Sequence, residues 1–454
     1  MTATPVESRT PTALGPVNDL PRRLGFWATS AIVVGITIGS GIFRVPATVA
    51  TAVGSPAAIA LVWILGGVIS LCGALALAEL GAAMPASGGV FVYLGEAYGP
   101  LLAFLFGWTQ LFLGPASLGA ISLVFAEYLG SLLSLSQGQV RLVAMAALLI
   151  VGAAGYRSVR GLGGLVSVTT ATKLAALATL VLATFLLGDG RTGSLGLGAP
   201  AAGSDRWGGI GLALVAALWA YNGFHDMVNV AGEVRHPGRT LPRALMAGTL
   251  AVIVIYLGAN AAYLYVLPYD TLQGSPLVAS DTMIRVVGPW GAAAVAAMVM
   301  ISTFGTLAGL SLATPRIFFA MARAGLLFQP LARVHPRFGT PHVAIAFAIA
   351  VAIPFVWSRT FEQLTEAFIL GTWPFLALAA VGVLVLRRSQ PGLSRPYHTP
   401  GYPVIPLIFV AGTLWVMGSA LIAHPITTLA GIGLTLFGVP VYYAWRVTNR
   451  QFSR

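Results

Sequence analysis

Three short groups of residues in this chain could do chemistry. The first is Thr37-Ile38-Gly39-Ser40-Gly41, set in the middle of an apolar run from residue 26 to about 53. The second is Asn222-Gly223-Phe224-His225-Asp226, preceded by Trp219. The third is Lys173, the single lysine of a chain whose other basic residues are arginines. A Gly-Ser-Gly sequence inside an apolar run predicts a helix broken in two. The last carbonyls of one half and the first amides of the next then face one gap. The amide end carries roughly half a positive charge. With the Ser40 hydroxyl added, it suits a small carboxylate. The carbonyl end near Thr37 suits an ammonium group, and residues 219–222 predict a second set of free carbonyls. An anion site beside a cation site describes a zwitterion such as an amino acid. The alternative is that Gly35 and Gly39 form a GxxxG packing face. The continuing glycines and the second interrupted run favour the break.

Lys173 lies in SVTTATKLAALATL, near the middle of its own apolar run. A cation there is expensive and marks function by default. One reading is a side chain snorkelling to an interface. The other is a tethered ammonium bridging carbonyls of the first break to hydroxyls such as Ser302 or Thr303, in the position where a sodium ion could sit. For Asp226 the readings are a helix cap, contact with a substrate amine, or a proton relay with His225. Arg44 faces either an outer vestibule or another helix, and an outer gate pair with an acidic residue is one option. Trp219 and Trp373 are either packing or gate, and Trp219 is the better gate because it precedes the second break.

These groups need elements to hold them, and the composition says in what solvent. Of the 454 residues, 57% are hydrophobic and 8% charged. Soluble domains carry about 25% charged residues, so this chain needs lipid. Apolar runs of roughly 20 residues, each enough to cross a bilayer, recur about twelve times. They predict an all-α integral membrane protein. The formal charge of +12 has a topological cause. With both termini on one side, that side takes Arg9, Arg22, Arg23, Arg157, Arg160, Arg235 and most of the later arginines. The other side keeps Arg141, Arg191, Arg206, Arg285 and Arg359. This is the bias expected of cytoplasmic termini. No basic cluster interleaved with aromatics points to nucleic acid. The lone Cys72 excludes an intrachain disulfide, and no Cys/His cluster predicts a metal. A cleaved signal peptide is not expected, because polar and turn-forming residues fill the first twenty positions and the apolar run after them is too long.

The breaks fall in the first span (26–53) and the sixth (208–234), the offset of two five-span halves. Such pairing points to a transporter site. The expected organisation is a cytoplasmic tail at 1–24, a core of spans 1–10 at 25–388 with repeats of about 25–188 and 207–388, spans 11–12 at 389–446, and a tail at 447–454. The third and eighth spans are read at 97–130 and 283–323. The segment RAGLLFQPLARVHPRFGTP is read as amphipathic and lying along the membrane surface.

At this point the residues resemble a known family. VVGITIGSGIFRVP is similar to the first-span signature of the amino acid–polyamine–organocation superfamily. ALAELGAAMPASGGVFVYLGEAYGPLLAFLFGWTQLFLGPASLGAISLVFAEYL, WAYNGFHDMVNVAGEVRHPGRTLPRAL and STFGTLAGLSLATPRIFFAMARAGLLFQPLARVHPRFGTP resemble its L-type amino acid transporter branch. The resemblance runs from about residue 22 to 447. It implies twelve helices in the LeuT-like 5+5 inverted repeat, with helices 1 and 6 broken, and transport by alternating access. It implies carboxylate binding at Gly39, Ser40 and Gly41, and amine binding by carbonyls of Thr37, Trp219 and Asn222. It also implies that Lys173 takes the sodium position of sodium-independent members. Asn222, Phe224 and His225 depart from the residues common in the branch, which leaves the substrate open.

The expected substrate-binding residues are therefore Thr37, Ile38, Gly39, Ser40, Gly41, Trp219, Asn222, Gly223 and His225. Those expected to gate or couple are Lys173, Trp219, Asp226, Ser302 and Trp373. The expected activity is sodium-independent amino acid transport across a bacterial cytoplasmic membrane, by exchange or proton coupling. The alternative is transport of cationic amino acids or small amines. No cofactor is expected. The resemblance also implies no disulfide-linked partner, since animal members of the branch use a cysteine between spans three and four and SLLSLSQGQVRL has none. A membrane enzyme would need a nucleophile–base pair or metal ligands at membrane depth, and the sequence offers neither. An ion channel fits twelve spans around one central site poorly.

Overall fold

The structure is a computed structural model, and it describes residues 20–190, 206–275 and 277–452. The N-terminal tail with Arg9, most of the loop with Arg191, and Arg454 lie outside these residues. In chain order the helices are α1 (Phe26–Thr37), α2 (Gly41–Val53), α3 (Pro56–Ala83), α4 (Val90–Tyr98), α5 (Pro100–Leu133), α6 (Gln137–Arg157), α7 (Val159–Leu187) and α8 (Arg206–Tyr221). They continue as α9 (Asp226–Asn229), α10 (Pro237–Val266), α11 (Tyr269–Gly274), α12 (Val278–Val287), α13 (Pro289–Arg323), α14 (His342–Ser358), α15 (Phe361–Ser389), α16 (Val404–Ala423) and α17 (Pro425–Phe452). Among the described residues the only β-type contact is one parallel bridge between Leu24 and Val234.

Local chemistry sets several helix starts. The Ser55 hydroxyl accepts from the Ala58 amide at 3.2 Å, with Pro56 in the first turn of α3. Thr360 and Gln363 form a reciprocal cap on α15, and Ser158 caps α7 through the Gly161 amide. Each such cap satisfies an amide that the helix itself leaves open. Among the described residues ten stretches are long and apolar enough to cross a membrane, counting α1 and α2 as one, and two shorter apolar helices, Gly209–Tyr221 and His342–Ser358, lie among them.

The structure refines several boundaries. The third predicted span, 97–130, is the single helix α5 beginning at Pro100, and the separate helix α4 precedes it across the turn at Gly99 (φ +91°). The eighth is preceded by the separate α12, cut off at Gly288 (φ +85°). The segment after α13, read as amphipathic and lying along the membrane surface, holds a short 3-10 turn, Gln329–Ala332. Leu326, Leu327 and Leu331 are buried there, so that segment docks on the bundle.

The interior is built by α13 against α5 and α7, α10 against α3 and α1, and α15 against α5. α17 lies at the rim, with 17% of its apolar window buried against 67% for α13. Two ends of the bundle can be told apart by their contacts. At the end called here the near side, Leu24 pairs with Val234, and the Glu233 carbonyl accepts from the Arg23 and Leu24 amides at 2.8 and 2.9 Å. At the far side, Arg44 lies between Glu127 of α5 and Glu362 of α15.

Candidate substrate site at the two helix breaks

The apolar run that opens the chain is broken where its glycines stand. α1 ends at Thr37 and α2 begins at Gly41. The Gly39 amide turns back to the Thr37 carbonyl at 2.9 Å instead of continuing the helix, which releases the Gly35 carbonyl from its helical partner. The first turn of α2 has no preceding turn to supply acceptors. The Phe43 amide reaches the Ser40 carbonyl at 3.2 Å, and the amides of Ser40 and Gly41 remain at the gap. The Ser40 hydroxyl is buried and has no hydrogen-bond partner among the described residues.

The second break follows α8. The Asn222 amide donates to the Trp219 carbonyl and the Asp226 amide to the Gly223 carbonyl, both at 3.1 Å. The chain then resumes only as the single turn α9 and a 3-10 turn at Ala231–Glu233. The two breaks lean directly on each other. A Cβ at Gly41 would fall 2.5 Å from the Ala220 Cα, and one at Gly223 would fall 2.7 Å from the Thr37 amide nitrogen. Gly223 also holds φ +137°, a conformation open to glycine and costly for other residues. Tyr256 of α10 ties the breaks together, its hydroxyl lying 2.8 Å from the Thr37 carbonyl and 2.9 Å from the Ala220 carbonyl.

Lys173 closes the space behind the first break. Its ammonium is fully buried and lies 2.9 Å from the Gly35 carbonyl, 2.6 Å from Ile38, 3.0 Å from the Ser302 carbonyl and 3.2 Å from the Thr306 hydroxyl. Thr306 donates to the Gly35 carbonyl at 2.8 Å and Ser302 to the Ile38 carbonyl at 3.0 Å. An ammonium has three protons and no acceptor, so carbonyls freed by the break are its natural partners. Thr303 is not part of this set. Its hydroxyl bonds back to Val299 in its own helix. Thr306 takes the expected place because it is one helical turn from Ser302 and shares its face.

A cavity of about 20 Å³ lies at the meeting point, lined by Thr37, Gly39, Ser40, Gly41, Trp219 and Asn222, with Ser117, Ile121 and Thr306 across from them. It has room for about one water, so an amino acid enters only if its walls move. The Asn222 Oδ1 is buried there without a partner. Above it, toward the far side, a cavity of about 220 Å³ is lined by Arg44, Thr48, Trp219, Phe361, Glu362 and Glu366. Trp219 lines both, held edge-on by Phe361 and Phe368 at 6.0 and 5.6 Å. It is the partition between the two spaces.

The structure does not bring every predicted residue to this cavity. Ile38 contributes its carbonyl to Lys173 and packs its side chain in the core. Gly223 is the contact between the breaks and not a cavity wall. His225 and Asp226 are buried away from the lining, 3.8 Å apart. Asp226 does not cap: the residue before α9 is His225, no side-chain cap bond forms there, and the Asp226 Oδ2 is unpartnered. Trp373 lies behind Phe224 and Phe409, at ring distances of 6.4 and 5.4 Å, and does not line the cavity. Ser117, Tyr256 and Thr306 belong to the site region but were not singled out from sequence. Hydroxyl side chains are common in membrane helices, and only packing shows which of them point inward.

At the far side Arg44 reaches Glu127 and Glu362, each at 2.6 Å, and sits over the Phe361 ring at 4.8 Å. The group is partly exposed, with Glu362 61% accessible, so its net worth is about 1 kcal/mol or less. Arg44→Gln is accordingly expected to leave thermal stability almost unchanged while loosening this closure. A cysteine introduced at Thr48, in a chain whose native Cys72 is buried, should then react with an impermeant maleimide about fivefold faster, the ratio that ~1 kcal/mol supplies. An unchanged labelling rate would show that the bridge does not hold the vestibule.

With this geometry in view, the relatives of the chain can be read. A model of the amino acid permease family matches residues 24–443. The serine/threonine exchanger SteT of Bacillus subtilis is 33% identical over 435 residues, covering 94% of this chain and 98% of the relative. The human b(0,+)-type amino acid transporter 1 is 32% identical over 90% of this chain and 84% of its own. The human cystine/glutamate transporter is 29% identical over 95% and 87%. The match spans both breaks, Lys173 and the helices between them, in a multi-pass helical membrane protein, and the chain belongs to the amino acid permease family.

Proposed function

We propose that the protein is a sodium-independent exchanger of small neutral amino acids. The observation that carries this reading is the pair of helix ends at one gap. The first amides of α2 meet the end of α1 there, and both Ser40 Oγ and Asn222 Oδ1 are buried beside it without partners. The carboxylate binds the Ser40 and Gly41 amides with Gly39 at close approach. The amine binds main-chain oxygen at the two breaks. The Thr37 carbonyl already accepts from Tyr256 and Gly39, the Ala220 carbonyl from Tyr256 and the Trp219 carbonyl from Asn222, so the carbonyls of residues 36, 221 and 222 carry more of that role. Serine and threonine are the substrates favoured, because SteT is named for them and because Ser40 Oγ and Asn222 Oδ1 offer polar partners in a small space. Asp226 motivated the reading as a carrier of cationic amines. It is not among the residues that line the cavity, which leaves that reading without a contact at the site.

Trp219 is the gate over the bound substrate, and Lys173 fills a position that a sodium ion would otherwise occupy. The two repeats rock about the site, in twelve crossings with both termini cytoplasmic, in the cytoplasmic membrane of a bacterium. Cys72 is buried within α3, which agrees with a carrier that has no disulfide-linked partner. Proteoliposomes test the reading. Preloaded unlabelled serine should accelerate labelled serine entry at least tenfold, equally in sodium and in choline. Ser40→Ala should weaken apparent affinity by about tenfold, as the loss of one hydrogen bond to a charged group predicts. Uptake that ignores preloading, or that stops without sodium, refutes the reading.

A further inference from the structure

Near the near-side end of α13 a fully buried arginine has more donors than partners. Arg316 is 0% exposed. Its Nε donates to Glu233 Oε1 at 2.9 Å, while Nη1 and Nη2 both lack any hydrogen-bond partner among the described residues. Burying donors without acceptors is costly, and more so for a charged group. The cost goes unanswered in this closed arrangement, so the fork is expected to gain acceptors in another.

The surroundings say where those acceptors come from. Gly309 abuts Ile36 of α1, and Arg316 is seven residues further on, so both lie on the face of α13 turned toward the broken first helix. Thr306, at the candidate site, is ten residues back, about 15 Å along the helix axis. Arg316 therefore stands on the line from the site to the near side, behind the closure made by Leu24, Val234 and Glu233. The turn at 87–89 is wedged into the same region. The Gly88 amide donates to the Asn229 carbonyl at 2.9 Å, and Gly88 packs against Ala320 and the Arg316 carbonyl. Ser87 Oγ and both polar atoms of the Asn229 side chain are likewise buried and unpartnered.

We propose that Arg316 is a second, transient substrate subsite, a carboxylate station on the near-side path. Glu233 occupies Nε and leaves the end-on fork of Nη1 and Nη2 open. That fork matches a carboxylate in two parallel charge-assisted bonds. When the Leu24–Val234 closure opens, an amino acid leaving or approaching the central site passes its carboxylate to this fork. The pair with Glu233 keeps the station electrically neutral when empty, so it does not trap anions.

The proposal rests on the transport reading, and the two are separable. If the wild-type protein shows no countertransport, the transport reading has failed. If it does, the station is tested by measuring the KM for serine separately at each face of proteoliposomes with the protein in one orientation. Arg316→Gln should raise the near-side KM at least tenfold and leave the far-side KM within twofold. Arg316→Lys, which keeps the charge but loses the fork, should raise it at least threefold, and it stands in if the glutamine variant does not fold. Equal shifts at both faces, or a wild-type near-side KM in Arg316→Lys, would each overturn the proposal and leave the pair as a latch.

Discussion

Lys173→Met is expected to lower serine exchange at least a hundredfold while the protein still inserts and purifies as a monodisperse species. The ammonium holds three main-chain carbonyls from two elements, Gly35 and Ile38 of the first break and Ser302 of α13. After its removal the Thr306 and Ser302 hydroxyls still serve Gly35 and Ile38, so the break is not stripped bare. What is lost is the set of bonds to a charged donor, each worth about 1.5–3 kcal/mol. Together they set the position of the break relative to α13. A loss of ~3 kcal/mol in the geometry of the site exceeds a hundredfold in rate, since each 1.4 kcal/mol is tenfold. Methionine replaces the aliphatic stem of the lysine and lacks only the terminal ammonium position, so cavity formation contributes little. Exchange by the variant within threefold of wild type would show that the carbonyls at the break hold their positions unaided.

The second large effect concerns the contact between the breaks. Gly223→Ala should destabilise the protein by about 2–4 kcal/mol and abolish measurable binding. Two costs add. The new Cβ would lie 2.6 Å from Thr37 Oγ1, 2.7 Å from its amide nitrogen and 2.8 Å from its Cα. Two of these are backbone atoms that cannot swing aside, and forced overpacking costs about 1–3 kcal/mol. The backbone at φ +137° adds a further penalty of about 1 kcal/mol or more for any L side chain. Both act where α1 meets the second break, so relief by backbone movement separates the two halves of the site. Gly418→Ala and Gly431→Ala are the matched controls, because a Cβ there meets nothing within 4 Å. Thermal unfolding monitored alongside serine binding checks the expectation. A Gly223→Ala protein with wild-type melting and affinity would mean that the breaks do not press on each other in the membrane.

Much of this architecture is legible in the residues. Membrane-length apolar runs report helices, because lipid leaves the backbone few other ways to satisfy its polar groups. Glycine and serine in mid-run report the first break, and Asn222 to Asp226 report the second. The chemistry of Lys173 is legible for a related reason. An ammonium in an apolar run must find acceptors, and a broken helix is where free carbonyls exist. Its partner Thr306, however, looks no different in sequence from Thr303, whose hydroxyl turns back on its own helix. The same limit explains His225 and Asp226. Their types suggested chemistry, but whether they face the cavity depends on how one short turn is rotated, and no periodicity constrains a turn of four residues.

What the sequence determined by itself, then, is the solvent, the helices, the two breaks and the cation that serves them. All of these follow from the cost of leaving a polar group unsatisfied in an apolar medium. Only the tertiary structure decided that Gly41 and Gly223 bring the breaks into contact, that Trp219 divides two cavities, that Arg44 pairs with Glu127 and Glu362 at one end, and that Arg316 is buried at the other with Nη1 and Nη2 unpartnered among the described residues. Each of these depends on which faces of distant helices meet. Shape and packing across the whole bundle settle that, and no stretch of residues carries it alone.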